Sequence, residues 1–215
     1  AAFSMLAQNT QGGPPQGQNG QPPQGQNGQR PQRQQGQNGQ QPPQQAQPRQ
    51  QGLDPQSPNA HDPVMAKEGD TFYVFYTGGG INRLASKDLK TWERLDPVFT
   101  ELPEWIKERL PQARLDFWAP DIIYHDGLWH IFYACSAFGR NTSVIGHATT
   151  PTLDPKAKNY GWKDEGLIMQ SVPTKNDWNA IDPNVIFDEN GDPWMDFGSF
   201  WDGIKMFKLK KDLSG

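Results

Sequence analysis

A pattern of about 60 residues occurs three times between Asp62 and Leu213, and this repeat is the strongest constraint on the fold. Each copy has an Asp, a short apolar segment, a polar turn containing Gly, an aromatic segment and a third apolar segment. The copies open at Asp62, Asp121 and Asp182, which are 59 and 61 positions apart. Apolar and aromatic runs of this length, bounded by turn residues, are typical of strands. A Trp after the third segment suits a fourth, outer strand in the first two copies, at Trp92 and Trp162. Four short strands in a fixed period of this size predict the blades of a β-propeller.

The segments inside each copy support this all-β fold class. Asn-Gly and Asp-Gly pairs between hydrophobic runs are strong hairpin signals. The predicted turns are Glu68-Gly69-Asp70, Asp126-Gly127 and Asn190-Gly191-Asp192, and the third apolar segments are 81–85, 143–148 and 203–209. The alternative is a meander sandwich in which the similarity between the copies is accidental.

The chain divides into segments of very different composition. Residues 1–7 (AAFSMLA) resemble the end of a signal-peptide core, with cleavage near Ala7-Gln8. Residues 8–52 consist almost wholly of Gln, Gly, Pro and Asn. Such a segment has too few apolar side chains to offset the entropy of ordering, which predicts a disordered tether. Residues 53–215 are predicted to be the N-terminal part of a β-propeller domain.

The predicted domain holds 163 residues, or about two and a half copies of the repeat. A propeller closes with roughly 4 to 8 blades. The sequence is therefore expected to be a piece of a longer protein, truncated at both ends.

Charge and hydropathy argue against two classes of partner. Arg30, Arg33 and Arg49 carry +3 of the whole-chain charge of −4, which leaves −7 on residues 53–215. An acidic domain without a basic run does not favour nucleic acid. No stretch has the length and hydropathy of a transmembrane helix. The lack of such a stretch and the signal-like start together predict a secreted or cell-surface protein. The protein is expected to be a monomer. Cys135, the one cysteine of the sequence, is predicted to be a buried free thiol.

The repeated carboxylates are the candidate catalytic groups. In a propeller the innermost strand of each blade lines the central channel, so Asp62, Asp121 and Asp182 are expected to point towards one axis. Acids gathered around one pocket suit general acid–base chemistry, and their like charges raise the pKa of at least one of them. An Asp before Pro can instead cap a turn by accepting backbone hydrogen bonds. Repetition in register favours a catalytic role for two of the three.

Aromatic residues near these carboxylates suggest a sugar as the ligand. A flat apolar face beside carboxylates and amides suits the C–H face and hydroxyl edges of a sugar ring. Trp118 and Phe138 lie at strand or loop ends and are expected to be exposed in a cleft. Three other Trp residues are expected to fill space between blades, namely Trp129, Trp162 and Trp194.

Six phrases of the sequence resemble glycoside hydrolase family 43. They run in continuous order between Asn59 and Gly215 and are most similar to those of its endo-α-1,5-L-arabinanases: HDPVM, FWAPDIIYHDGLWHIFY, SAFGRNTS, TLDP, NAIDPNV and FGSFWDGIKM. The resemblance implies a five-bladed β-propeller that hydrolyses glycosidic bonds with inversion of the anomeric centre. The implied activity is cleavage of internal α-1,5-L-arabinofuranosidic linkages in arabinan.

The resemblance implies roles for the acidic residues. Asp62 corresponds to the general base. Asp182 corresponds to the Asp that orients the general acid and tunes its pKa. Asp121 is expected to support the site without a catalytic role. His61 is expected to lie beside Asp62 as a hydrogen-bonding or packing neighbour and is predicted to be one of the substrate-binding residues.

The resemblance also implies a set of substrate-binding residues. Trp118 and Phe138 correspond to sugar-stacking side chains, and Ser199 corresponds to a hydroxyl that contacts the substrate. Asn141 and Asn179 are expected to present amides to the same cleft.

Two parts of the family's machinery have no counterpart before Gly215. The family's general acid is a Glu from a later blade, and the His that helps to hold calcium in the channel of related arabinanases also lies beyond the end. The 215 residues alone are therefore expected to release no oligosaccharide from linear arabinan. Calcium is expected in the complete channel only.

Two further hypotheses stay open at this point. One is an exo-acting α-L-arabinofuranosidase or β-xylosidase of the same family, in which one end of the groove is blocked. The other is a non-catalytic, carbohydrate-binding propeller anchored by the Gln-rich tether.

Overall fold

A computed structural model describes residues 58–215 of the chain. The signal-like residues 1–7, the tether of residues 8–52 and the predicted start of the domain at Leu53 lie outside the described residues. The elements of the described part, in chain order, are β1 (Val64–Glu68), β2 (Thr71–Tyr76), β3 (Asn82–Ser86), β4 (Glu93–Leu95), α1 (Glu104–Arg109), β5 (Trp118–His125), β6 (Leu128–Cys135), β7 (Ser143–Thr150), β8 (Lys163–Ser171), β9 (Asn184–Phe187), β10 (Pro193–Phe197) and β11 (Lys205–Lys208). Within this range no helix has the length and hydropathy to cross a bilayer.

The strands form three antiparallel sheets that follow one another along the chain. The first sheet is β1-β2-β3-β4, the second is β5-β6-β7-β8, and the third is β9-β10-β11. Each sheet is a meander in which neighbours in sequence are neighbours in space. The all-β class is confirmed, and each sheet corresponds to one copy of the repeat. The number of sheets in the complete protein stays a prediction.

Tight turns set the register of the innermost hairpins. In the second sheet His125 pairs with Leu128, so Asp126 and Gly127 alone form the loop. Both have positive φ, 46° and 83°, which is the conformation of the two-residue turn that matches the twist of antiparallel strands. The sequence prediction of a turn at this pair is confirmed.

Two apolar cores lie on opposite faces of the second sheet. One core includes Phe75 of β2 and Tyr133 of β6. The other includes Phe132 of β6 and Met195 of β10. Successive side chains of a strand point to opposite faces, so the consecutive residues Phe132 and Tyr133 serve different cores. Trp162 packs edge-on against Phe75, with ring centroids 6.0 Å apart, which is a space-filling position.

Polar contacts join the first sheet to the second. At the end of β1 the Glu68 carboxylate accepts hydrogen bonds from Trp129 Nε1 at 2.9 Å, Thr152 Oγ1 at 2.8 Å and the Leu153 amide at 2.8 Å. Arg83 of β3 is buried and donates from Nη2 to the Leu153 carbonyl at 3.0 Å. A single carboxylate therefore satisfies three donors, one in β6 and two in the segment between β7 and β8, and removing it would leave those donors without an acceptor.

A pair of histidines is buried in the second sheet. His130 Nε2 lies 3.2 Å from the His125 carbonyl, so this nitrogen carries the proton and donates. His130 Nδ1 is then an acceptor, and His147 Nε2 donates to it at 2.9 Å. His147 also stacks on Phe132, with ring centroids 4.5 Å apart. Burial, and secondarily the neighbouring His130, lowers the pKa of His147 from 6.5 to about 4.

Cys135 is buried at the end of β6. Burial raises the pKa of its thiol to about 12. The thiol is therefore protonated at neutral pH and is the inert core residue that the sequence predicts.

Candidate active site

Three corners of the backbone define the candidate active site. Asp62, Ala119 and Asp182 each precede a Pro and each have positive φ, at 47°, 38° and 54°. This region is sparsely populated for residues other than Gly and costs about 1–3 kcal/mol per residue. Such strain persists where the surrounding structure fixes it, and it occurs here at the same place in each of the three sheets.

The corners correct one part of the sequence analysis. It aligned Asp121 with Asp62 and Asp182, whereas the corner of the second sheet is Ala119. Asp121 lies two residues further along, inside β5, and pairs with Phe132. Val64 of the first sheet is its structural counterpart, since it too follows the corner by two residues. The error came from aligning the acids and not the prolines.

Asp62 and Asp182 line one pocket of about 280 Å³. The walls of the pocket are the three corners and the residues that follow them: Asp62, Pro63, Val64, Ala119, Pro120, Asp121, Asp182, Pro183 and Asn184. Both catalytic candidates are open to solvent. The surrounding protein partly desolvates Asp182, and this raises the pKa of its carboxyl, with a second, smaller contribution from the charge of Asp62.

The Asp62 carboxylate has two neighbours in the first sheet. His61 Nε2 lies 3.2 Å from Asp62 Oδ2, and the His61 ring is exposed. Thr77, which follows β2, donates from Oγ1 to the same oxygen at 3.0 Å. The sequence analysis singled out His61 but missed Thr77, because the contact joins residues 15 positions apart and no local pattern marks it.

Asp121 has a structural role in this site. Only 9% of its surface is exposed, and its Oδ2 accepts a hydrogen bond from the Val185 amide at 2.8 Å. Burial raises the pKa of the carboxyl, partly offset by the backbone donors. The contact joins the second sheet to the third beside the pocket, which is the supporting position expected for this residue.

An aromatic groove of about 410 Å³ lies close to the pocket. Trp118 and Phe138 both line it, and Phe138 is 96% exposed. Phe200 and Trp201 also line the groove. These two residues were not assigned to the site from the sequence. Four aromatic side chains with a largely apolar lining offer flat faces for sugar rings.

The remaining predicted residues differ in how far they reach the groove. Asn179 lines it, but its side chain is only 2% exposed and its Oδ1 accepts hydrogen bonds from Ser143 at 2.6 Å and Ser171 at 3.2 Å. The Asn179 amide therefore binds the first residue of β7 and the last residue of β8. Asn141 is buried and donates to the Asn176 carbonyl at 3.0 Å.

Asn141 also lines a second, more open pocket that shares Trp201 with the groove. Ser199 is half-buried beside Phe200 and is not among the residues that line the groove.

Two expected components are not assembled from the described residues. No Glu lines the pocket of Asp62 and Asp182. Across residues 58–215 no group of three or more His, Cys, Asp or Glu side chains has the arrangement of a metal site. These donors alone do not fit calcium, and the calcium expectation stays a prediction.

The sequence model of the glycosyl hydrolases family 43 matches residues 56–214. The chain belongs to this family. It is 49% identical over 156 residues to the extracellular exo-α-(1→5)-L-arabinofuranosidase ArbA of Cellvibrio japonicus, a match that covers 73% of this chain and 45% of the relative. It is 43% identical over 155 residues to the extracellular endo-α-(1→5)-L-arabinanase 1 of Bacillus subtilis, covering 70% of this chain and 46% of the relative.

Solved structures of arabinanases are similar in fold. An exo-1,5-α-L-arabinanase from a bovine ruminal metagenomic library superposes with a TM-score of 0.73 at 46% identity, covering 75% of this chain and 54% of that structure. A Cellvibrio cellulosa α-L-arabinanase complexed with arabinohexaose gives a TM-score of 0.71 at 48% identity, covering 72% and 49%. The family 43 chain described here thus spans about half the length of the relatives that it matches.

Proposed function

We propose that the whole protein is a secreted glycoside hydrolase that cleaves internal α-1,5-L-arabinofuranosidic linkages of arabinan with inversion. One observation carries the proposal: Asp62 and Asp182, at equivalent corners of the first and third sheets, line one pocket close to an aromatic groove. Family membership and the endo-arabinanases among the relatives support it. In this proposal the three sheets are part of a five-bladed propeller, and residues 53–215 are its N-terminal portion.

In the proposed reaction Asp62 is the general base. It removes a proton from a water molecule, the water oxygen bonds to the anomeric carbon, and the glycosidic C–O bond breaks on the opposite face of the sugar. The leaving oxygen takes a proton from a carboxylic acid. Acid and base of an inverting enzyme lie roughly 6.5–9.5 Å apart so that the water fits between base and sugar. We assign the acid to a Glu of the whole protein outside residues 58–215.

Asp182 is proposed to tune and orient that acid. When two carboxyl groups lie side by side, the negative charge of one disfavours ionisation of the other. The pKa of Asp182 is itself raised by partial desolvation and, to a smaller extent, by the charge of Asp62, so the surroundings of Asp182 disfavour a further negative charge. The pKa of an acid placed beside Asp182 would be raised in the same direction, as proton donation to a leaving group requires.

The aromatic groove is proposed to bind the arabinan chain. Arabinofuranose rings present C–H faces to Trp118 and Phe138, and the additional faces of Phe200 and Trp201 extend the contact to further rings. The substrate is a neutral polysaccharide. The net charge of −7 on residues 53–215, with no basic run, supports the expectation that nucleic acid is not a partner.

An exo-acting enzyme is the second candidate. The relative with 49% identity and the ruminal structure both bear exo names. The two candidates are distinguished by their early products from linear arabinan. An endo enzyme releases a range of oligosaccharides from the outset, whereas an exo enzyme releases one small product.

Secretion rests on the signal-like residues 1–7 and on the extracellular names of the relatives. The tether of residues 8–52 would then separate the enzyme from its point of attachment or export. A monomer is proposed.

The test of the proposed function is the variant Asp62→Asn in the protein expressed from the complete gene. Loss of the general base is expected to lower kcat on linear arabinan by about 10²–10⁴-fold, with the fold unchanged. Asp70→Asn is the matched control, because Asp70 lies in the exposed turn between β1 and β2, and it should retain full activity. Undiminished hydrolysis by Asp62→Asn would contradict the proposal. A wild-type protein that binds arabinan without cleaving it would instead favour a non-catalytic binding propeller.

A further inference from the structure

The hydroxyl of Thr77 makes two hydrogen bonds at the candidate active site. Its Oγ1 lies 3.0 Å from Asp62 Oδ2 and 2.9 Å from the Ala119 amide nitrogen. The backbone amide can only donate, so Oγ1 accepts from Ala119. The single proton of the hydroxyl is then free to be donated to Asp62, and the direction of both bonds is fixed.

The backbone around Thr77 is itself held in place. The Thr77 amide donates to the His61 carbonyl at 3.0 Å, and the Thr77 carbonyl accepts from Asn82 Nδ2 at 3.2 Å. The next residue, Gly78, exchanges backbone hydrogen bonds with Phe117 at 2.9 Å and 3.1 Å. Thr77 therefore lies where the first sheet meets the segment that leads into the second sheet, with its main chain fully bonded.

The contacts of Asp62 are confined to one of its two carboxylate oxygens. Oδ2 contacts Thr77 Oγ1 and His61 Nε2. Among residues 58–215, no side chain or backbone group hydrogen-bonds to Oδ1. A hydroxyl that holds Oδ2 fixes the rotation of the carboxylate and leaves Oδ1 to face a water molecule.

We propose that Thr77 is a positioning residue for the general base, an inference that rests on the proposed function. Its hydroxyl ties the carboxylate of Asp62 to the corner at Ala119, and Ala119 directly follows Trp118 of the aromatic groove. The Thr77 side chain thus sets the position of the Asp62 carboxylate relative to the aromatic groove on which the sugar stacks. Hydrolysis needs this alignment because small displacements of a catalytic group are costly in rate.

The variant Thr77→Val removes the hydroxyl and keeps the shape of the side chain. In the protein expressed from the complete gene, we expect kcat on linear arabinan to fall about 10- to 100-fold, because a hydrogen bond to a charged group is lost. A donated hydrogen bond also favours the ionised carboxylate. The acidic limb of the pH profile of kcat/KM should therefore move to higher pH, while KM changes little.

Two matched variants separate positioning from general support of the fold. Thr77→Ser keeps the hydroxyl and should restore kcat to within about threefold of the wild type, since the same two bonds can form. Thr100→Val, at an exposed position, should leave both kcat and the pH profile unchanged. Thermal unfolding of each variant checks the fold, and Thr77→Ala takes the place of the Val variant if that variant does not fold.

Combination with Asp62→Asn distinguishes failure of this inference from failure of the proposed function. If Thr77 acts through Asp62, adding Thr77→Val to Asp62→Asn should lower kcat no further. Additive losses, equal losses in the Val and Ser variants, or an unmoved acidic limb would overturn the positioning role. Full activity of Asp62→Asn alone would overturn the proposed function instead.

Discussion

Replacing the buried His147 by Gln is expected to weaken the pH dependence of stability. The pKa of His147 is lowered from 6.5 to about 4 in the folded protein, with burial as the main cause. Below about pH 7 the unfolded chain therefore binds a proton at this residue that the folded chain does not bind. By linkage, the free energy of unfolding falls as the pH falls from 7 towards 4.

The size of the effect follows from the shift. A difference of about 2.5 pKa units corresponds to about 3 kcal/mol in total. At pH 5 the unfolded histidine is almost fully protonated and the folded one is largely neutral, so about 2 kcal/mol of stability should already be lost relative to pH 7.5. His130, whose pKa is also lowered by burial, adds to the loss in the same direction.

The assay is urea unfolding at pH 7.5 and pH 5.0, followed by Trp fluorescence. Gln at position 147 keeps an N–H donor for His130 but does not titrate. The variant His147→Gln should lose about 2 kcal/mol less stability between the two pH values than the wild type. His61→Gln is the control, since that ring is 78% exposed, and it should behave as the wild type does. An equal loss in the wild type and in His147→Gln would refute the reasoning.

Two further predictions concern the stability of the fold: one tests the hydrogen bonds of Glu68 and the other tests the close contact between Gly80 and Phe99. Glu68→Ala leaves three donors of the second sheet without their acceptor and should lower the free energy of unfolding by about 2–4 kcal/mol, whereas Glu93→Ala in the exposed β4 should change it by less than about 0.5 kcal/mol, as measured by urea unfolding. Gly80→Ala would place a Cβ atom 1.9 Å from the Phe99 carbonyl oxygen at a φ of +75°. It should destabilise the protein by about 3 kcal/mol or more, while Gly161→Ala, with no atom within 4 Å of its Cβ, should be nearly neutral. Similar melting temperatures for Gly80→Ala and Gly161→Ala would contradict this prediction.

The sequence was sufficient for the features that repeat along the chain. Local patterns of hydropathy and turn residues were enough to predict the strand order and the hairpin at Asp126-Gly127. They also predicted that Asp62 and Asp182 line one pocket. These patterns repeat because each sheet must bury similar faces and reverse direction at similar points. Family resemblance identified the same branch of enzymes as the comparison with relatives.

Features that depend on contacts between distant residues escaped the sequence analysis. Asp121 was placed two positions out of register, because the corner is marked by Pro120 and by a positive φ that sequence does not display. Asn179 was expected to face the substrate, yet two serines from separate strands hold its carbonyl oxygen. Thr77 was missed because its partners, Asp62 and Ala119, lie 15 and 42 positions away in the sequence and no local pattern marks either contact.

At the corner before each proline, the positive φ does not depend on whether the side chain is acidic or apolar. In the second sheet the corner holds Ala119, whose methyl group carries no charge, while the first and third sheets hold acids at a similar positive φ. The main chain thus keeps its shape whether or not a reactive group is attached. Such a fold can gain, lose or exchange a catalytic side chain at any of these three corners by a single amino-acid substitution, without a change in the sheet that follows the corner.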